Sequence, residues 1–241
     1  MKFSIITPTY NHAALITRTV RSLQAQDYTR DLIEWILIDG GSSDQTLETI
    51  QPEKFHPDLW ESQPNRGFFD ALNRGVKKAT GDILCFLPAG DVLASRGTIY
   101  RLSCAYKNAG AACVYANMDV GTFQAEIFSA QRAVRPGIYH RNLLARGWAP
   151  PLQTFSIERK VALQHVAEEG LFDLSYGEAA GYEWMMRLLG AASIEPAYLR
   201  IPTLQTEALL PKGSAAAEEQ AIRAHQLGGP FTRFARRWRR Y

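Results

Sequence analysis

Three apolar runs in the first ninety residues each end on a polar turn, and no other feature constrains the fold so tightly. They are "FSIITPTYN" (3–11), "IEWILIDGGSSD" (33–44) and "ILCFLPAGD" (83–91). Between them, "HAALITRTVRSLQAQ" and "GFFDALNRGVKKA" carry apolar residues at helical spacing, and "DLWES" reads as a short further strand. Ser43 or Asp44 is placed to cap the helix that follows the second run. Strands alternating with helices imply right-handed crossovers and a largely parallel, Rossmann-like α/β sheet. Ligands then bind outside the carboxyl ends of the strands. The segments that matter are therefore "TPTYN", "DGGSSD" and "PAGD".

Beyond residue 92 the pattern loosens. "SRGTIYRLSCAYKNAG" reads as helix, "ACVYANMDV" as strand and residues 120–139 as a hairpin or ribbon. "GWAPPLQTFSIERKVALQHV" gives a loop, a strand and a helix, "GEAAGYEWMMRLLG" a helix, and "SIEPAYLRIPTL" a last strand. We therefore expect one domain over 1–204, with a first half at about 1–92 and a second at about 93–204. A helical, basic and aromatic extension is expected over 205–241. A hydrophobic content of 46% and a charged content of 21% suit a chain with a sizeable core. No apolar run approaches the roughly 20 residues that span a bilayer. The start, "MKFSIITPTYN", lacks a long apolar stretch and a cleavage site, so a cytoplasmic location is expected. Cys85, Cys104 and Cys113 lie apart in apolar segments, the pattern of reduced thiols and not of a disulfide frame.

Two carboxylates sit at strand ends. Asp39 follows "WILI" and precedes two glycines, where it can accept hydrogen bonds from a base or ribose. The same residues equally suit a turn with a helix cap. Asp91 closes "PAGD" and is a candidate ligand for a hard cation, since one or two carboxylates suffice when phosphates supply the rest. It would serve a plain turn as well. Neither GxGxxG nor GxxxxGK[ST] is present, which disfavours dinucleotide and P-loop folds. "PNRGFFDALNRG" adds Arg66 and Arg74, able to neutralise a diphosphate, with Asp70 and Asn73 at helical spacing.

Taken together, "SIITPTYN", "LIDGGSSDQTLE", "SQPNRGFFDALNRGVKKATGDILCFLPAGDVL", "PPLQTFSI" and "GEAAGYEWMMRLL" resemble the inverting glycosyltransferases of family 2, which have the GT-A fold. The resemblance spans roughly residues 3–200 and makes about 1–92 the nucleotide-binding half and about 93–204 the acceptor half. It implies transfer of a sugar from a nucleotide diphosphosugar, a UDP-sugar first among them, to a glycan or lipid-linked acceptor in cell-surface polysaccharide assembly. It places Thr7, Pro8 and Tyr10 along the base and ribose, Asp39 on the nucleobase and Arg66 on the nucleotide. Asp91 then holds Mn2+ or Mg2+ against the diphosphate.

The chain departs from that pattern where acids are expected. Relatives read "NADD" or "NSDD" where this chain has "PAGD", so the neighbour of Asp91 is Gly90. Their "DKG" or "DRG" is here Asn65-Arg66-Gly67, and their "PHQ" is Pro151-Leu152-Gln153. Where they read "AADYD" or "AADYE", with the first Asp as general base, this chain has Gly181. Glu183 is the nominated replacement, ahead of Glu178 and Asp119. The competing reading is a non-catalytic binder of nucleotide-sugar or glycan, or a partner subunit of an active transferase.

The terminus "FTRFARRWRRY" holds five arginines and no acid; without it the chain has 22 basic and 24 acidic residues, a balance of −2. Phe231, Phe234, Trp238 and Tyr241 would form one aromatic stripe on a helix. That composition fits a peripheral helix on an anionic membrane surface. It is a poor match to nucleic acid, because the body is mildly acidic.

Overall fold

The computed structural model describes residues 1–124, 127–144, 146–168, 170–190 and 194–207. The basic and aromatic terminus lies outside these described residues. In chain order the strands are β1 (Phe3–Thr9), β2 (Ile33–Asp39), β3 (Leu59–Ser62), β4 (Ile83–Phe86), β5 (Val92–Leu93), β6 (Cys113–Gln124), β7 (Ile127–Val134), β8 (Ser156–Glu158) and β9 (Ala197–Glu207). The helices are α1 (Ala13–Gln24), α2 (Thr46–Ile50), α3 (Phe68–Lys78), α4 (Thr98–Ala109), α5 (Arg141–Leu144), α6 (Arg159–Gln164) and α7 (Ala180–Leu189).

One sheet runs in the order β3-β2-β1-β4-β8-β6-β9-β5, with β7 paired to β6. The first four strands are parallel. β8 turns the sheet mixed by pairing antiparallel with both β4 and β6. β9 continues through residues 205–207, opposite β6, so the strand passes the boundary expected at residue 204. The two-residue β5, which pairs with β9, went unread in the sequence.

Alternation along the strands builds the two faces. Phe3, Ile5, Trp35 and Leu37 face α1 and α4, burying Val20, Leu23, Ile99 and Leu102. Ile6, Ile36 and Ile38 face the other way, onto Leu72 and Val76 of α3 and Trp184 and Leu188 of α7. Side chains two apart in a strand share a face, so each run serves both layers. α3 lies close on β1 because Gly75 faces Ile6, whose Cγ2 a Cβ at residue 75 would strike. Below the sheet, at the strand starts, Glu34 accepts from Ser4 Oγ (2.5 Å), the Thr80 N–H (2.8 Å) and the Thr80 hydroxyl, and pairs with Lys2. These contacts fix β1, β2 and the turn into β4 to one another, leaving the opposite strand ends to carry the polar loops.

Candidate functional site

The order β3-β2-β1-β4 sends successive connections away from β1 in opposite directions, which opens a crevice at its carboxyl end. Two loops close one side. The Asn11 N–H donates to Ser42 Oγ (2.8 Å), and Asn11 Oδ1 accepts from the Ser43 N–H (2.9 Å). Asp44 accepts from the Thr46 and Ala13 N–H groups, at 3.0 and 3.1 Å, but the N-cap of α2 is Gln45, one residue beyond the two expected, and its side chain makes no cap bond. Asp39 is fully buried beneath this zip. Its Oδ2 accepts from the Gly41 N–H (3.1 Å), the Ser42 N–H (2.9 Å) and Ser62 Oγ (2.6 Å), while Oδ1, among the described residues, takes only the Ser42 hydroxyl. Above it, Tyr10 is 58% exposed, and its ring and the Asn65 amide both stand within van der Waals reach of Gly40. Arg66, next in the chain, has a side chain 65% exposed that pairs with Asp70 at 3.5 Å, and its backbone N–H donates to Asp70 Oδ2 (3.0 Å).

Several expected site residues are committed elsewhere. Thr7 is fully buried and its hydroxyl accepts the Trp35 indole N–H (3.0 Å), so its side chain braces β1 against β2 and offers nothing to a ligand. Pro8 is buried too, and its carbonyl accepts the Ala89 N–H (3.1 Å), tying the end of β1 to the turn after β4. Arg74 pairs with Glu61 and not with an open crevice, and Lys78 joins that pair at 2.7 Å. Asn73 clamps the backbone of Phe172 by donating to its carbonyl (2.7 Å) and accepting from its N–H (2.8 Å).

Glu183, the base nominated from the sequence, is committed to an ion pair. Its side chain is 3% exposed and accepts from Arg187 through both oxygens, at 2.9 and 3.0 Å. Arg187 in turn donates to the carbonyls of Leu171 (2.8 Å) and His165. A carboxylate in a buried bidentate pair, with both oxygens taken by Arg187, locks α7 to the preceding loops. Residue 181 is walled by apolar groups as well: a Cβ there would stand 3.1 Å from Phe69 Cε1 and 3.4 Å from Leu152 Cδ2. Asp119 pairs with Arg135 at 2.8 Å, and Glu178 is exposed in the short 3-10 helix that precedes α7.

The other side of the crevice holds Asp91. It is 7% exposed, and burial pushes its pKa up to about 7 against the lowering effects of the Thr206 hydroxyl and of Arg18. Arg18 and Thr19, on α1, grip this turn, and neither was singled out in the sequence. The Gly90 N–H donates to Thr19 Oγ1 (2.8 Å), which itself donates to the Asp91 carbonyl (2.8 Å). Arg18 Nε donates to the Gly90 carbonyl (2.7 Å) and Nη1 to Glu207 Oε2 (2.7 Å). Burial lowers the pKa of His12, the N-cap of α1; Asp44 opposes the shift and Arg18 adds to it.

Residues 4–166 match the family model for Glycosyl transferase family 2, well over half of the chain. The chain belongs to that family. An uncharacterized glycosyltransferase of Mycobacterium tuberculosis is 31% identical over 199 residues, covering 82% of this chain and 71% of that protein. Among solved structures, S. aureus TarS superposes with a TM-score of 0.71 at 19% identity, over 95% of this chain and 40% of that one. A shorter form of TarS has been solved with UDP-GlcNAc. A mannosyltransferase from Pyrobaculum calidifontis, solved with GDP-Man and Mn2+, gives a TM-score of 0.64 at 22% identity, over 98% of this chain and 64% of that one. The fold is therefore GT-A, and this chain spans less than half of full-length TarS.

The divalent ion held in that mannosyltransferase invites a comparison of donor sets. Here Asp91 stands without a second acid at residue 90, beside a guanidinium. Among the described residues no group of three or more His, Cys, Asp or Glu side chains comes together. With one carboxylate, and that one beside a guanidinium, the set is a poor one for a hard cation, which would depend on the diphosphate for nearly all its oxygens. No helix among the described residues is long and apolar enough to cross a membrane.

Proposed function

We propose that this chain transfers a sugar, with inversion, from a nucleotide diphosphosugar to an acceptor hydroxyl. The observation that carries this reading is the crevice of a family 2 chain flanked by the Asp39 cage on one side and the Gly90–Asp91 turn on the other. The base and ribose lie over Tyr10, Gly40 and Asn65. Asp39 reaches the base through Oδ1, which holds a single rotatable hydroxyl donor and can exchange it for a ligand N–H. Arg66 borders the phosphates. Relatives in fold bind UDP-GlcNAc and GDP-Man; a UDP-sugar is the first choice here, with a glycan or lipid-linked acceptor in surface polysaccharide assembly. The cationic terminus would hold the enzyme against an anionic inner membrane face.

In the transfer, the acceptor oxygen bonds to the anomeric carbon from the face opposite the diphosphate. The bond from that carbon to the diphosphate oxygen breaks, and the nucleoside diphosphate leaves with the electron pair. Mn2+ or Mg2+ on Asp91 is the finer expectation drawn from relatives, but the donor set argues against it and no step is routed through a metal. The acceptor proton must pass to a base as the bond forms, and the apolar wall of Phe69 and Leu152 at residue 181 provides none there. That wall favours one second reading, a nucleotide-sugar or glycan binder that turns nothing over.

Calorimetry with UDP-, GDP- and dTDP-sugars, followed by a donor-hydrolysis and transfer assay, separates the two. The transferase reading expects binding that is lost in Asp39→Ala, together with measurable turnover. Binding without turnover in any pairing favours the binder, and no binding to any donor removes the transferase and the nucleotide-sugar binder and leaves only a glycan binder.

A further inference from the structure

We propose that Arg18, and not a divalent metal, supplies the positive charge that the donor diphosphate meets at the end of β4. The inference rests on the donor-binding reading above and adds the identity of the cation.

The geometry begins at Gly90. A Cβ built on this residue would point at Arg18 Nη2, 3.4 Å away, and at Leu15. The guanidinium therefore stands where a side chain at residue 90 would project. Gly90 itself has a φ of 97°, a conformation other residues adopt only under strain, so the turn is shaped to leave that space to Arg18.

Arg18 is held there from three directions. Nε is fixed on the Gly90 carbonyl and Nη1 on Glu207 Oε2, and the guanidinium lies 4.5 Å from the centre of the Phe123 ring. Glu207 is anchored in turn, because its Oε1 accepts the Phe123 N–H (2.9 Å). Nη2 has no hydrogen-bond partner among the described residues, and the side chain keeps 17% of its surface open. A guanidinium braced by two of its nitrogens and carrying an unpaired third is preorganised for phosphate oxygens, which it can meet with parallel N–H donors.

A divalent ion at the same place would be poorly received. It would have one protein carboxylate free to hold it, Asp91, because Glu207 is already engaged by the guanidinium at 2.7 Å. Arg18 gives the leaving diphosphate electrostatic stabilisation of the kind a metal otherwise supplies.

Calorimetry on the full chain tests this with UDP and GDP against UMP and GMP, each in EDTA and in Mn2+. The expected result is diphosphate binding that changes by less than about twofold between the two conditions. Arg18→Gln should weaken the diphosphates by about tenfold or more, the loss of a charged hydrogen bond, while the monophosphates change by less than about twofold. Circular dichroism checks the fold of the variant, and the EDTA comparison on the unaltered chain needs no variant. Diphosphate binding that requires Mn2+ overturns the inference and leaves donor binding standing. Equal weakening of mono- and diphosphates in a folded Arg18→Gln protein overturns it too, since that is what simple damage to the turn would produce. If neither nucleotide binds in either condition, the donor-binding reading fails and this inference falls with it.

Discussion

Glu34 offers the most quantitative test of how the sheet is held below the site. Its side chain is only 11% exposed, and that burial alone would raise its pKa. Hydrogen bonds from Ser4, from the hydroxyl and N–H of Thr80, and from Lys2 outweigh burial and bring the value from 4.5 to about 2. A depressed carboxylate stabilises the fold above its unfolded pKa, and that contribution fades as pH falls toward the folded value. The shift corresponds to about 3 kcal/mol at pH 7 and to about half of that at pH 3. Glu34→Gln cannot titrate and places an amide against the Thr80 N–H. Urea denaturation at pH 7, 5 and 3 should show a gap between the original protein and the variant that is constant from pH 7 to about 5.5. The gap should then narrow by about 1 to 2 kcal/mol by pH 3, the range allowing for partial solvent screening. A gap that stays the same down to pH 3, or widens, would refute the network as the cause.

Two other substitutions probe how the site is framed. Glu183→Gln leaves Arg187 buried without its carboxylate, and urea midpoints should report a loss of about 3 kcal/mol; nucleotide affinity measured by calorimetry on the folded fraction should stay unchanged, whereas a large fall in affinity with little loss of stability would restore a ligand-facing role. Gly75→Ala should destabilise by about 1 to 3 kcal/mol in the same assay, despite alanine's better helix propensity, because the added methyl meets Ile6; a neutral or stabilising result would show that α3 can shift away from β1.

The strand ends were legible because the same residues obey two rules at once. "FSIITPT" and "IEWILID" alternate between two apolar faces, and each is followed by residues that cannot continue a strand, so both the elements and their polar ends follow from local spacing. Two residues could not be read that way. Arg18 lies on a helix whose periodicity gives it no reason to be buried; its partners, Gly90 and Glu207, are 72 and 189 positions away, and no local rule connects them. Thr7 sits within an expected binding motif, yet a strand residue one position earlier or later on the pleat faces the opposite layer, and its hydroxyl went to Trp35. Glu183 is different, because its fate was written nearby. Arg187 follows at i+4, the spacing that brings two side chains together on a helix, and the pair is observed. Reading that spacing first would have assigned Glu183 to packing and left residue 181 without a substitute. The absence of acids at residues 90 and 181 then has two separate physical meanings: at 90 a cation has taken the space, whereas at 181 a hydrocarbon wall has. The first is compatible with holding a diphosphate. The second bears only on the acceptor, so donor binding and turnover are separable properties of this chain.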